Sequence, residues 1–259
     1  MPFTISHVAA VLPFSRWLKT RHLFSAAIVG SMVPDFGMFL PIHVPRSETH
    51  SIAALARFIL PMGLASYWLF QLAVKSAVIA VLPDRLYALA RPYAAFADIR
   101  KLRSWLLASI GILVGALTHL VWDAFTHEGA RGMRMIPALD ELMIGAGGHR
   151  LGGQRLLQDV SSLIGFAIIG GWIAWAMRSA ADVDVGPRPL GPAERALWLS
   201  IYGVTAVLIA ITAVFLMHEA ETGRIGLAAA TTDAAVAGLR GLGAALVGVS
   251  LLLNLRLPR

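Results

Sequence analysis

The segment THLVWDAFTHEG, residues 118–129, sets His119, Asp123 and His127 at four-residue spacing where a long apolar run ends. On an α-helix four residues advance about 6 Å and turn about 40°, so the three side chains leave one side of the helix. Histidine and carboxylate on adjacent turns form the donor set of zinc and related divalent ions. Asp123, between the histidines, is placed to share one ion with His119 and to bridge toward a second. The plain alternative is a helix end at the membrane interface, with Trp122 and Phe125 in an aromatic belt. An ionisable group in such a segment is by default a functional residue.

Three more groups of the same chemistry precede it: His7 in TISHVAAVLP, Asp35 in GSMVPDFG and His50 in SETHS. Singly, each has an ordinary explanation: a helix-start histidine, a turn former after Pro34, and an interfacial residue before an apolar run. Jointly they matter only if the fold gathers them, which turns attention to the elements that carry them.

The chain has 259 residues, 57% of them hydrophobic and 14% charged. So few charges exclude an ordinary soluble domain, and apolar runs of about 20 residues recur, enough to span a bilayer. The spacing predicts about five transmembrane helices, at 52–82, 104–125, 160–178, 196–217 and 233–255. The expected fold is all-α and polytopic, with short N-terminal helices packing a metal site at one membrane face. Residues 1–178 form the metal-site part, 179–195 a loop and 196–259 the C-terminal helices. Pro61 and Gly63 predict a kink in the first span. Residues 22–40 read as a short buried helix that breaks at Pro34. No strand is expected, and 145–154 (GAGGHRLGGQ) reads as a flexible loop.

If 52–82 crosses once and 104–125 crosses back, residues 1–51 and 119–159 share one side of the membrane. That gathers three histidines and two aspartates beside one face. Basic residues in the two alternating sets of loops nearly balance, ten against nine, so their distribution does not orient the chain. The net charge of +7 is spread over loops and forms no stripe suited to nucleic acid. Without cysteine, any metal site must use His, Asp and Glu. The N-terminus lacks the basic n-region of a signal peptide, so insertion is expected through the internal spans.

In combination, MPFTISHVAAVLP, GSMVPDFG, THS, GALTHLVWDAFTH and LQDVSSLIG (157–165) are similar to an uncharacterised bacterial membrane family, domain of unknown function 4184, over roughly residues 1–170. That family resembles inner-membrane-associated metal-dependent hydrolases. More distantly it resembles the zinc-dependent phospholipases C and single-strand nucleases, helical enzymes with an ordered ligand series: an early His, an Asp, a His, then His-x-x-x-Asp. The resemblance implies a bacterial inner-membrane location. It also implies that Asp35, His50, His119 and Asp123 hold one metal, and that Asp123 bridges to a second bound by His7. The soluble enzymes carry a further His and His-x-x-x-Asp set. No clean match follows residue 127, where His127 and His149 stand as partial substitutes, so one or two zinc-type ions are expected.

A divalent ion lowers the pKa of bound water to near neutral and polarises a phosphoryl oxygen. Asp35 and Asp123 are the expected catalytic carboxylates, holding the attacking water. A site on a membrane face favours a membrane lipid or lipid-linked phosphoester as substrate, with amide and other ester hydrolysis open. Thr118, Thr126, Ser6 and Thr49 flank the ligands as candidate supporting groups. Glu128 could serve as acid or base, and Arg131 and Arg134 could meet phosphate, although ordinary interfacial roles suit all three. DFG at 35–37 lacks the other parts of a kinase, and 145–154 lacks a P-loop ending. HEAETG (218–223) could add a ligand but suits an interfacial loop. Two other readings compete with the hydrolase: a non-enzymatic protein with a structural metal site, and a transporter using the His and Asp groups for ion coupling. A transporter would place these groups near the bilayer midplane.

Overall fold

The computed structural model describes residues 4–18, 21–40, 44–95, 97–127, 130–136, 143–146, 149–179, 186–221 and 227–257. Helix dominates them, as expected. Three helices are long and apolar enough to cross a membrane: Leu55–Val81, Leu102–Thr126 and Leu156–Ser179. They coincide with the first three expected spans. Helices also cover the last two, at Pro192–Glu221 and Leu227–Asn254. There the side chains of 213–235 lie outside the described residues, and Gly238–Asn254 is a shorter apolar helix. One correction concerns the loop at 145–154. Strand β1 (Met143–Ala146) pairs antiparallel with β2 (His149–Gly152), Met143 opposite Gly152. Alternation is too short there to announce a ribbon.

The chain packs as two units. The first comprises Met1–Gly37, Val44–Tyr67 and Ala97–Ala176. Its frame is a pair of helices, α1 (Arg21–Gly30) and the long helix α2 (Leu102–Thr126). Their contact is backbone against backbone. A Cβ at Gly111 would stand 2.5 Å from the Leu23 carbonyl oxygen, and one at Gly115 would stand 2.0 Å from that of Ala27. This is the small-xxx-small interface of membrane helices, which lack a hydrophobic drive to associate and gain by close packing. Ala26, Ala27, Ala108 and Ala116 fill the seam and are buried.

Helix α1 ends earlier than Pro34 alone predicts. It stops at Gly30, and a 3₁₀ segment, Val33–Phe39, follows at a 51° bend. Pro34 has no N–H to give Ser31, and the Asp35 N–H turns to the Met32 carbonyl instead. The Ser31 carbonyl is thereby released from the helix ladder. In the first span, Pro61 is absorbed in a different way. A π-helical turn, Leu55–Ile59, immediately precedes it, and the Leu60 N–H reaches back to the Leu55 carbonyl. The wider turn makes room for a ring that would otherwise meet the carbonyl four residues back.

The second unit comprises Met38–His43, Trp68–Phe96 and Met177–Arg259. Its core is Ala77, Ala80, Val81, Leu190 and Leu253, flanked by Trp198 and Tyr202. Several of its buried polar groups find partners, as a low-dielectric setting favours. Lys75 Nζ donates to Gln71 Oε1 and to the Ala95 carbonyl, and Asn254 bridges Ser76 and the Ala73 carbonyl. Arg188 donates to the Leu82 carbonyl at 2.6 Å and pairs with Asp84, tying the 186–191 segment to a helix end. Arg240 donates to the carbonyls of Met38 and Leu40.

Candidate metal centre

Four of the expected ligands converge within the first unit. Asp35 comes from the 3₁₀ segment after α1, His50 from the end of a helical turn at Arg46–Thr49, and His119 and Asp123 from α2. One donor atom from each lies within 4.8 Å of the other three. His50 Nε2 is 3.4 Å from Asp35 Oδ1 and 3.4 Å from Asp123 Oδ2. His119 Nε2 is 3.3 Å from Asp123 Oδ2, 3.7 Å from Asp35 Oδ1 and 3.3 Å from His50 Nε2. Donors about 2.0–2.2 Å from a tetrahedral ion stand about 3.3–3.6 Å apart along each edge. Four of the five distances fall in that range and the fifth, His119 to Asp35, is 3.7 Å, so the residues fit a first-row divalent ion. Two imidazoles disfavour calcium and magnesium, which take oxygen donors.

The surroundings orient each donor. His119 Nδ1 lies 2.7 Å from the released Ser31 carbonyl. A carbonyl only accepts, so Nδ1 carries the proton and Nε2 offers its lone pair. Thr49 Oγ1 donates to the Arg46 carbonyl and lies 2.7 Å from His50 Nδ1. With its proton on that carbonyl, the hydroxyl can accept from Nδ1–H, the tautomer that would free His50 Nε2 for an ion. Thr4 Oγ1 donates to Asp35 Oδ2 at 2.8 Å, the carboxylate oxygen outside the cluster. Outer partners of this kind fix tautomer and orientation in metal sites.

His7 and His127 flank the other oxygen of Asp123. His7 Nε2 is 3.6 Å from Asp123 Oδ1, and His127 Nδ1 is 3.5 Å from it. His7 is wholly buried, stacked on the His119 ring at 3.8 Å with the Trp122 ring edge beyond. Among the described residues neither of its ring nitrogens has a hydrogen-bond partner, and neither has Asp123 Oδ1. Orphaned polar atoms at such depth are costly. His7, His127 and Asp123 Oδ1 are the groups that would hold a second ion. Burial, then the neighbouring His119, lowers the His7 pKa to about 4. Burial alone would also lower that of His50, but Asp123 and Asp35 outweigh it and raise it. His127 is lowered, chiefly by burial.

The sequence expectations fare unevenly around this centre. Trp122 packs on His7 and donates to Ser161. Thr49 supports a ligand, whereas Thr118 turns to the Gly115 carbonyl. Thr126 Oγ1 lies 3.3 Å from His127 Nδ1, and Ser6 is buried where Gly165 approaches. Glu128, the HEAETG side chains, and those of Arg131 and His149 lie outside the described residues. Two contributors carried no signal in the sequence. Thr4 is one. The other is Arg46, whose Nη2 meets Asp123 Oδ2 at 2.5 Å. Its position four residues before His50, at the other end of the same helical turn, is the only hint available.

The family model for the domain of unknown function DUF4184 matches residues 1–251. The chain belongs to that family. The match extends well beyond the residues 1–170 whose motifs carry the resemblance, through the C-terminal helices. No curated protein and no solved structure matches the chain.

Proposed function

We propose that this DUF4184 protein is a membrane-embedded, zinc-type hydrolase of phosphoesters, acting on a phospholipid or lipid-linked phosphate in a bacterial inner membrane. The observation that carries the reading is the convergence of Asp35, His50, His119 and Asp123 within 4.8 Å, with His7 beside the other oxygen of Asp123. When bound, a divalent pair supplies Lewis acidity and a nucleophile at neutral pH. The chain's own residues do the rest. Asp35 and Asp123 would hold the ions and so orient the attacking water. Thr4, Thr49 and the Ser31 carbonyl keep the donors from drifting. Burial of His7, His119 and both carboxylates excludes bulk water. The structural-site and transporter readings remain the alternatives. Against transport, His119 and Asp123 lie toward the end of helix Leu102–Thr126 and His50 precedes the first span; in its favour, Asp35 follows the bend of the broken pair His22–Gly30 and Val33–Phe39.

The test is metal content of the detergent-purified protein, with His119→Ala and Asp123→Ala beside it. Wild type is expected to hold one or two zinc-type ions and to hydrolyse a chromogenic phosphodiester or phospholipid vesicles, and both variants to lose ions and activity. Wild type that stays metal-free after zinc supplementation sinks the reading. Ions retained without phosphoesterase activity favour the structural site.

A further inference from the structure

We infer that Arg46 is the anion-binding group of this centre, and that the substrate presents a negatively charged, phosphoryl-type oxygen to it. The inference rests on the metal-centre reading above and narrows it, because neutral carboxyl esters and amides offer no such charge.

Arg46 is built into the site. Its carbonyl accepts the His50 N–H at 2.8 Å and the Thr49 hydroxyl, so the turn that fixes a ligand also fixes Arg46. Its side chain reaches Asp123 Oδ2 yet keeps 43% of its surface exposed, against 9% for His50, 6% for Asp123 and none for His7 or His119. Arg46 therefore stands at the mouth of the centre, with one face on a ligand and the other toward whatever enters. A guanidinium has five N–H donors in a planar fork, and the contact to Asp123 engages only one side of it. The open edge matches two oxygens of a phosphate.

Charge points the same way. Asp35 and Asp123 bring two negative charges, which one divalent ion balances. Arg46 then leaves a surplus of one positive charge, and a second ion enlarges it. A phosphodiester, with one negative charge, neutralises the one-ion surplus and lowers the two-ion surplus of three, and a neutral ester does neither. The competing role is local: Arg46 merely neutralises Asp123 and holds it in place.

Inorganic phosphate is the probe. Its binding to zinc-loaded, detergent-purified protein is measured by titration calorimetry, with metal content read on the same samples. Wild type is expected to bind phosphate, Arg46→Ala to weaken it on the order of tenfold or more with metal content unchanged, and Arg46→Lys to recover part of the loss. Unchanged phosphate affinity in metal-loaded Arg46→Ala overturns the inference. So does loss of metal in that variant, which makes Arg46 a positioning residue for Asp123. Zinc-loaded wild type that ignores phosphate also overturns it and leaves the metal centre standing. Wild type without metal removes the centre itself.

Discussion

At the scale of single residues, the centre depends on which atom carries each proton. His119 is ready to donate from Nε2 because Ser31 presents a carbonyl to Nδ1, and that carbonyl is free because Pro34 has no N–H. His7 is the opposite case, a buried imidazole with no hydrogen bond among the described residues, and its depressed pKa of about 4 makes a pH prediction. After chelation of metal, the unfolded chain takes up the His7 proton near pH 6.5 and the folded chain only near 4. The His7 contribution to stability is thus present above about pH 6.5 and lost as pH falls. From pH 7.5 to 5 the loss is about 2 kcal/mol. His50 runs the other way, since its raised pKa gives stability present below 6.5 and lost on going alkaline. Thermal unfolding of the chelated protein at the two pH values should show a smaller acid loss in His7→Phe than in wild type, and equal losses would reject this account. The His119 and Asp123 ligands were legible from four-residue spacing alone. Arg46 and Thr4 were not, because arginine and threonine near a terminus have no spacing that distinguishes a site from a surface.

At the scale of elements, the pairing of α1 with Leu102–Thr126 decides whether the ligands meet. Gly115 lies one turn before His119 and lets the Ala27–Ser31 backbone come close enough for the Ser31 carbonyl to reach the imidazole. Gly115→Val forces those backbones apart and should cost about 3 kcal/mol or more. It should also lower zinc content although it touches no ligand. Gly170→Ala, where an added Cβ meets nothing within 4 Å, is the matched control. Normal zinc in Gly115→Val would show that the glycine seam does not position His119. The helices themselves were readable from apolar run length. The seam was not, since glycines recur throughout the chain and only contact shows which ones bear a neighbour's backbone. The same holds for Pro61, where sequence predicts a kink and the helix answers with a π-turn.

At the scale of the whole molecule, the membrane sets the terms. Helix Leu156–Ser179 leaves Leu163, Ile164, Ile168 and Trp175 exposed, a surface that suits lipid and would drive a water-soluble protein to aggregate. Ile168 lies near its middle, and Ile168→Arg should cost about 3–4 kcal/mol of insertion, the arginine penalty plus the lost isoleucine contribution. The fraction of protein resisting carbonate extraction from membranes should fall in that variant, and an unchanged fraction would argue that this helix does not span.

Composition and periodicity alone determined that this chain is helical and membrane-borne, and that its ligands must be histidine and carboxylate. Those properties are local: run length sets spans, residue type sets donor chemistry, and four-residue spacing puts His119 beside Asp123. Only the tertiary structure decided that Asp35 and His50 join them within 4.8 Å, that His7 stacks on His119 beside Asp123, and that half-exposed Arg46 meets Asp123. Each of these joins segments far apart in sequence. Their meeting depends on backbone approach at Gly111 and Gly115 and on a carbonyl released by Pro34, a steric outcome that no single segment carries.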